Sequence, residues 1–273
     1  MDHNPLADRP PPRHAYESDS EDEDGPRPVR GQITVPDVVV EWNPKPAPIL
    51  TLLGAFGPVA KVWRKTIDLD PWQPVGKVIM ADFTVAYIYQ RESTIILISE
   101  QSTSIPTLLL TPFARQVLTT IKPSRTVVLD SYPLPSYITS SSAPTSVIRY
   151  LSSTSSPTPS PSSRILRFDP PNLISSASAP FLLQSNRLSI PCTALLLPGA
   201  HILPPPPTLL HFSPGPVLDE EWEPGMMEEV KLAAALVLAV DVGIFGTNTG
   251  CLALRQKVPV RPRGDLGDGG MFI

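Results

Sequence analysis

Two kinds of apolar pattern alternate along this chain. Short runs such as Thr94-Ile-Ile-Leu-Ile98 and Thr126-Val-Val-Leu129 are apolar at nearly every position. That suits a strand covered on both faces, because a strand with one wet side alternates. Longer segments instead repeat apolar residues at the helical period. In chain order the pattern predicts that order begins near 38–42, followed by two adjacent strands at 77–89 and 94–99 separated by a polar turn at 90–93. A helix follows over 105–121, with Pro106 in its first turn and Pro112 as a point of kinking or splitting. Strands at 126–129, 164–168 and 193–197 come next, the last two bracketing a helix over 173–188 that is rich in small residues. A final helix is predicted over 218–242, interrupted near Pro224 and Gly225, with its alanine-rich half at 232–240 packed on the sheet.

Strands alternating with helices imply an α/β fold: a single domain with a largely parallel central sheet flanked by helices. The pattern leaves the order of the strands open.

Composition changes this picture at the ends and in one internal stretch. The chain has 273 residues, 41% of them hydrophobic, and 36 prolines, an excess that regular elements cannot accommodate. Residues 1–34 combine Pro10, Pro11 and Pro12 with an acidic run at 19–24. That is too little apolar surface to offset the entropy of ordering, and predicts a disordered tail. Residues 35–250 form the α/β domain, within which 139–163 is a Ser/Thr/Pro-rich insertion apart from the apolar residues 147–151. Residues 251–273 form a flexible, glycine-containing C-terminal tail. The run at 232–240, bracketed by Lys231 and Asp241, is too short for a bilayer of roughly 30 Å and predicts a buried helix. No charged-then-apolar leader and no Asn-x-Ser/Thr acceptor occur, and there are two cysteines, Cys192 and Cys251, so free thiols in a reducing compartment are expected.

The search for chemistry yields no catalytic constellation. With 22 basic and 26 acidic residues, and the bases scattered, nothing forms a footprint for a phosphate backbone, so nucleic acid is not an expected partner. The histidines His3, His14, His201 and His211 lack the tight spacing that pre-forms a metal site, and no metal or cofactor is expected. No Gly-x-Ser-x-Gly elbow is present, and Cys192 opens an apolar strand, where it reads as a small buried hydrophobe. Asp219, Glu220, Glu221 and Glu223 read as a polar helix start favoured by the dipole. A binding role is therefore favoured over an enzymatic one.

Two features sharpen that role. The first is Phe168-Asp-Pro-Pro-Asn-Leu-Ile174, followed by the small-residue segment 175–189 and Ile190-Pro-Cys-Thr-Ala-Leu-Leu-Leu197. The second is the end of the chain, where glycines at 264–270 lead into Met271, Phe272 and Ile273. Together they resemble the proteasome assembly chaperone 1 family, in outline over 38–250 and most closely over 168–197. The resemblance implies a chaperone without nucleotide dependence that heterodimerises with a second assembly chaperone subunit. It also implies binding to the 20S proteasome α-subunits, promoting correct ring assembly and blocking off-pathway association, in the cytoplasm with the nucleus also open to it. It further implies a docking tail of the hydrophobic-tyrosine-x type: Met271 as the hydrophobic member, Phe272 as the ring, and the Ile273 carboxylate as partner of a pocket lysine. Phe272 departs from the family's tyrosine, keeping the ring's area and losing the hydroxyl.

Two competitors from other classes stand beside this expectation. An α/β enzyme of hydrolase or phosphorylase-like type would need a pocket with convergent polar groups, since fold alone says nothing of catalysis. A proline-rich scaffold would present segments such as 204–207 to other domains.

Overall fold

The computed structural model describes residues 36–43, 50–67, 72–139, 147–153, 165–202, 204, 207 and 220–246. The tails expected at 1–34 and 251–273 lie outside these residues, as does most of the expected insertion at 139–163. The described chain forms one nine-stranded mixed sheet: β1 (Val38–Trp42), β2 (Thr51–Phe56), β3 (Gln73–Met80), β4 (Phe83–Arg91), β5 (Thr94–Ser99), β6 (Arg125–Pro133), β7 (Ile148–Ser152), β8 (Ile165–Arg167) and β9 (Cys192–Gly199). Their order across the sheet is β1-β3-β4-β5-β2-β6-β9-β7-β8. The helices are α1 (Gly57–Thr66), α2 (Thr107–Ile121), α3 (Ser178–Arg187) and α4 (Pro224–Leu238). The expected α/β fold, with a parallel centre and flanking helices, is what the chain adopts.

The middle of the sheet, β5-β2-β6-β9, is parallel throughout. Every residue of β2, β5 and β9 is buried, as their apolar runs require. The pleat divides the side chains between two cores. Leu52, Ile95, Leu97, Val128 and Leu196 meet α2 and α3 on one face. Leu53, Ile96, Val127, Leu129 and Leu195 meet α1 and α4 on the other. Rings lock the layers: Phe56 lies 5.0 Å from Phe181 and 6.2 Å from Phe113, and Trp63 lies 5.6 Å from Phe245.

Several expectations are corrected. Residues 77–89 are not one strand but most of the β3–β4 hairpin, which turns through Ala81 (φ 47°) and Asp82 (φ 70°). Such left-handed pairs are normally signalled by Asn-Gly or Asp-Gly, and Ala-Asp carries no such mark. Residues 51–66 hold a strand and a helix that the pattern does not reveal. Gly54 interrupts the apolar run of β2, and α1 begins at Gly57, whose φ of +55° permits the abrupt change of direction. Pro112 does not split α2. The carbonyl it leaves unbonded belongs to Leu108, on the exposed side where water can serve it. The third unit is not a parallel strand-helix-strand crossover. β7, formed by the apolar exception inside 139–163, pairs antiparallel with β9, and β8 pairs parallel with β7, so β8 runs against β9.

The helix expected over 173–188 is shorter, starting at Ser178, and the last helix starts at Pro224, which occupies its first turn instead of interrupting it. The alanine-rich half of α4 packs on the sheet as expected, with Ala233, Ala234 and Ala235 buried.

At the sheet's edge Gly76 pairs with Trp42 of β1, and any Cβ on it would run into the carbonyl oxygen of the preceding residue, Glu41. Gly76→Ala should therefore push β1 from β3, lowering stability by about 1–3 kcal/mol. Urea unfolding measures it, and an unchanged midpoint would show that β1 tolerates the displacement.

Candidate functional site

The segment 168–174 packs beside the carboxyl ends of β6 and β9, and a buried carboxylate sets the position of the helix that follows it. Asp130 comes directly after the apolar run of β6. Its Oδ1 accepts the Ser131 N–H (2.9 Å), and its Oδ2 accepts the Ser178 N–H (3.2 Å) and hydroxyl (2.6 Å). The carboxylate thus holds the start of α3, which explains why that helix begins at Ser178. Burial pushes its pKa above the usual carboxylate range, against the lowering effect of the Ser176 and Ser178 hydroxyls and the two N–H groups.

Before α3, Asn172 pins the chain to the stretch after β6. Its side-chain oxygen accepts the Ile138 N–H (2.8 Å), and its amide nitrogen donates to the carbonyls of Ile138 (2.7 Å) and Asp169 (2.9 Å). The Asp169 N–H donates to the Tyr137 hydroxyl at 3.1 Å. Three rings meet at this junction: Tyr132–Tyr137 at 4.9 Å, Tyr137–Phe168 at 5.4 Å and Tyr132–Phe168 at 6.3 Å. The Arg149 guanidinium, its side chain 2% exposed, sits 4.7 Å from the Tyr137 ring centre and donates to the Arg167 carbonyl at 3.1 Å. Glu220 and Trp222 fasten the stretch after β9. Glu220 accepts the N–H groups of Ala200 and His201, and the Trp222 indole donates to the Pro198 carbonyl at 2.7 Å. Glu220 is thus a buried loop anchor and not part of a helix start.

Against this scaffold lie two crevices, of about 250 and 130 Å³. Both are walled by Tyr132, Pro133, Phe168 and Leu173, and Leu173 stands 89% exposed. Chemically such a surface can receive an apolar side chain. The Asn172 amide is spent on internal bonds, while Ser136 adds a hydroxyl.

The residues singled out in the sequence fare differently. Phe168, Asn172, Leu173 and Ile174 are brought together at the crevices. Cys192 is buried and its thiol is pushed up to about 12 by desolvation, so it stays protonated. Met271, Phe272 and Ile273 lie outside the described residues, as do His3, His14, His211 and Cys251. Sequence reasoning misses Asp130, Tyr132, Tyr137 and Arg149. For Asp130 a signal exists: a lone acidic residue directly after an apolar run marks a carboxylate carried to the end of a buried strand. Among the described residues no cluster of three or more metal-ligating side chains forms, and no helix is long and apolar enough to cross a membrane.

No protein-family model and no curated protein matches this sequence. Solved structures similar to it include Pyrococcus furiosus PbaA, an archaeal homolog of proteasome-assembly chaperone, at 13% identity and TM-score 0.47, over 81% of this chain and 90% of that one. Pyrococcus furiosus PbaB, an archaeal proteasome activator, is similar at 12% identity and TM-score 0.43, over 81% of this chain and 93% of that one. A protein of unknown function from Thermoplasma acidophilum is similar at 12% identity and TM-score 0.47, over 80% of this chain and 94% of that one. At such values the likeness lies in the course of the chain and transfers no role.

Because the folded pKa of Asp130 is raised, the native state holds its proton to a higher pH than the unfolded chain does. The contribution of this group to stability should fall as pH rises above about 4 and level off past the folded pKa. Asp130→Ala should cost about 2–4 kcal/mol by orphaning the Ser131 and Ser178 donors, and should remove that part of the slope. Urea unfolding across a pH series tests both, and an unaltered slope in the variant would assign the pH dependence elsewhere.

Proposed function

We propose that this chain is one subunit of a heterodimeric assembly chaperone of the 20S proteasome, acting by binding and steric occlusion without catalysis. The observation that carries this reading is where the resembling segment lies. Residues 168–197 supply, in one continuous stretch, the Phe168–Asn172 junction, α3 and the central strand β9, and several of their apolar side chains line the open crevices. Rings and aliphatic groups held on a rigid support are suited to receiving side chains of another protein.

In this reading the chain pairs with a second assembly chaperone subunit, and the pair holds α-subunits while the ring forms. Met271, Phe272 and Ile273 enter a pocket between neighbouring α-subunits, with the Ile273 carboxylate meeting a lysine and the Phe272 ring supplying apolar area. The action takes place in the cytoplasm, and the nucleus is open to it as well.

Purification of the tagged chain from its native cells, with and without residues 271–273, tests the reading. Recovery of a second chaperone subunit and α-ring subunits is expected, with the α-subunits depleted about ten-fold by the truncation, equivalent to a loss of roughly 1.4 kcal/mol of docking energy. Recovery of no proteasome subunit by the intact chain would overturn it. Equal recovery with the truncated chain would remove the docking role from the last three residues.

A further inference from the structure

The two margins of the sheet end differently. At one margin β8 is only three residues long, its Arg167 carbonyl is taken by the Arg149 guanidinium at 3.1 Å, and Pro170 and Pro171 follow shortly after. That edge is blunted. At the other margin β1 pairs with β3 over five residues in one unbroken register. The Asn43 N–H donates to the Val75 carbonyl at 2.8 Å, and the Glu41 carbonyl oxygen stands against Gly76 of β3. Hydrogen-bonded pairs alternate along an antiparallel ladder, so Val39, Glu41 and Asn43 spend their backbone groups on β3. Val38, Val40 and Trp42 turn theirs the other way, and among the described residues no backbone group meets them. The result is a row of three donors and three acceptors, with no proline, lysine or bulge in β1 to guard it.

A bare row of this kind is complementary to one thing, the backbone of another extended segment. The side chains say which residues that segment carries. Those of Val38, Val40 and Trp42 pack against the core on the α2 side, yet they stay half-buried because no strand lies beside them. On the opposite face Val39 is 50% exposed and Glu41 is engaged by Lys77 at 3.2 Å, so that face asks for no particular charge. The β1 strand of a second copy is a poor occupant, because it brings its own α2. Helix α2 lies against β1. Strands paired edge to edge stand about 4.8 Å apart, whereas packed helices keep about 8–10 Å between their axes, so two α2 helices would crowd under such a joint. A lone extended segment brings no helix with it. We propose that the outer edge of β1 receives an extended segment of another protein as an added antiparallel strand, with apolar residues opposite Val38, Val40 and Trp42 and polar ones between. Antiparallel pairing continues the pattern of this margin, where β1, β3, β4 and β5 all pair in that sense. The edge lies across the sheet from the crevices and is independent of the assembly role.

The test uses the full chain and a synthetic probe, a short peptide alternating valine with threonine between terminal lysines. Two N-methylated twins carry the same side chains. In an antiparallel pair the valines that lie on the α2 side point their own N–H groups at Val38, Val40 and Trp42. Methylation of the valine amides should therefore weaken binding at least about ten-fold by fluorescence anisotropy, and methylation of the threonine amides should leave it unchanged. Amide exchange followed by NMR gives a second reading. In the free chain the Val38, Val40 and Trp42 amides should exchange at least about ten-fold faster than those of Val39 and Glu41, and the probe should slow those three about ten-fold. Val40→Pro removes the central outward donor, which the β1–β3 ladder does not use, and should abolish binding with the circular dichroism retained. Equal binding of the two twins, or no binding of the unmethylated probe, would overturn the inference. Slow exchange of the three amides in a free monomer would also overturn it, by showing that a segment of this chain already pairs there. A free chain that is dimeric by light scattering, with the three amides protected, would overturn it too and assign the edge to a second copy. No proteasome component enters this experiment, so its failure is distinct from failure of the assembly role.

Discussion

The architecture depends on one constraint: four neighbouring parallel strands whose side chains are buried on both faces. β2, β5, β6 and β9 cannot present a wet side, so each face must be roofed by helices before the sheet is stable in water. The two cores are the direct consequence, with α2 and α3 on one side and α1 and α4 on the other. The strands added at the margins are relieved of that demand. β1 alternates exposed with half-buried positions, β4 mixes exposed with buried ones, and both pair antiparallel. The sheet thus changes from parallel to antiparallel where covering on both faces ends.

Parallel strands also bring their carboxyl ends to one side, and there the structure turns from apolar to polar. Asp130 stands at that transition. A carboxylate in such a place is costly to bury, and the Ser176 and Ser178 hydroxyls with two backbone N–H groups offset the cost while fixing the Ser131 backbone and the start of α3. The crevices nearby inherit this rigidity. Asn172 and the Tyr132, Tyr137 and Phe168 rings hold two loop segments against each other, so loop residues in this region are placed as firmly as those of an element.

How much of this is legible in the sequence follows from the same physics. The two-sided runs 94–98 and 126–129 mark central strands because every position there has to be apolar. The α2 and α4 helices show themselves through length and period. What stays hidden depends on contacts instead of composition. Gly54 breaks the run of β2, and the Ala81-Asp82 turn lacks the usual residues because its left-handed conformations are imposed by the strands it joins. The direction of β8 depends on β7, a short strand from within a serine- and proline-rich stretch. At the crevices, Phe168 and Asn172 can be read from their motif. Tyr132, Tyr137 and Arg149 come from other parts of the chain, and only folding brings them together.

The exposed stripe of α4 fits the same logic of covering. Burial of Ala233, Ala234 and Ala235 lets the helix lie close to the sheet, and small side chains suffice for that face. Leucine at 232 and 236 serves no such purpose, because both side chains remain exposed in the folded chain. An exposed leucine alone needs no explanation. Two of them one turn apart leave an apolar strip on the outward side of the helix, and that strip takes no part in covering the sheet.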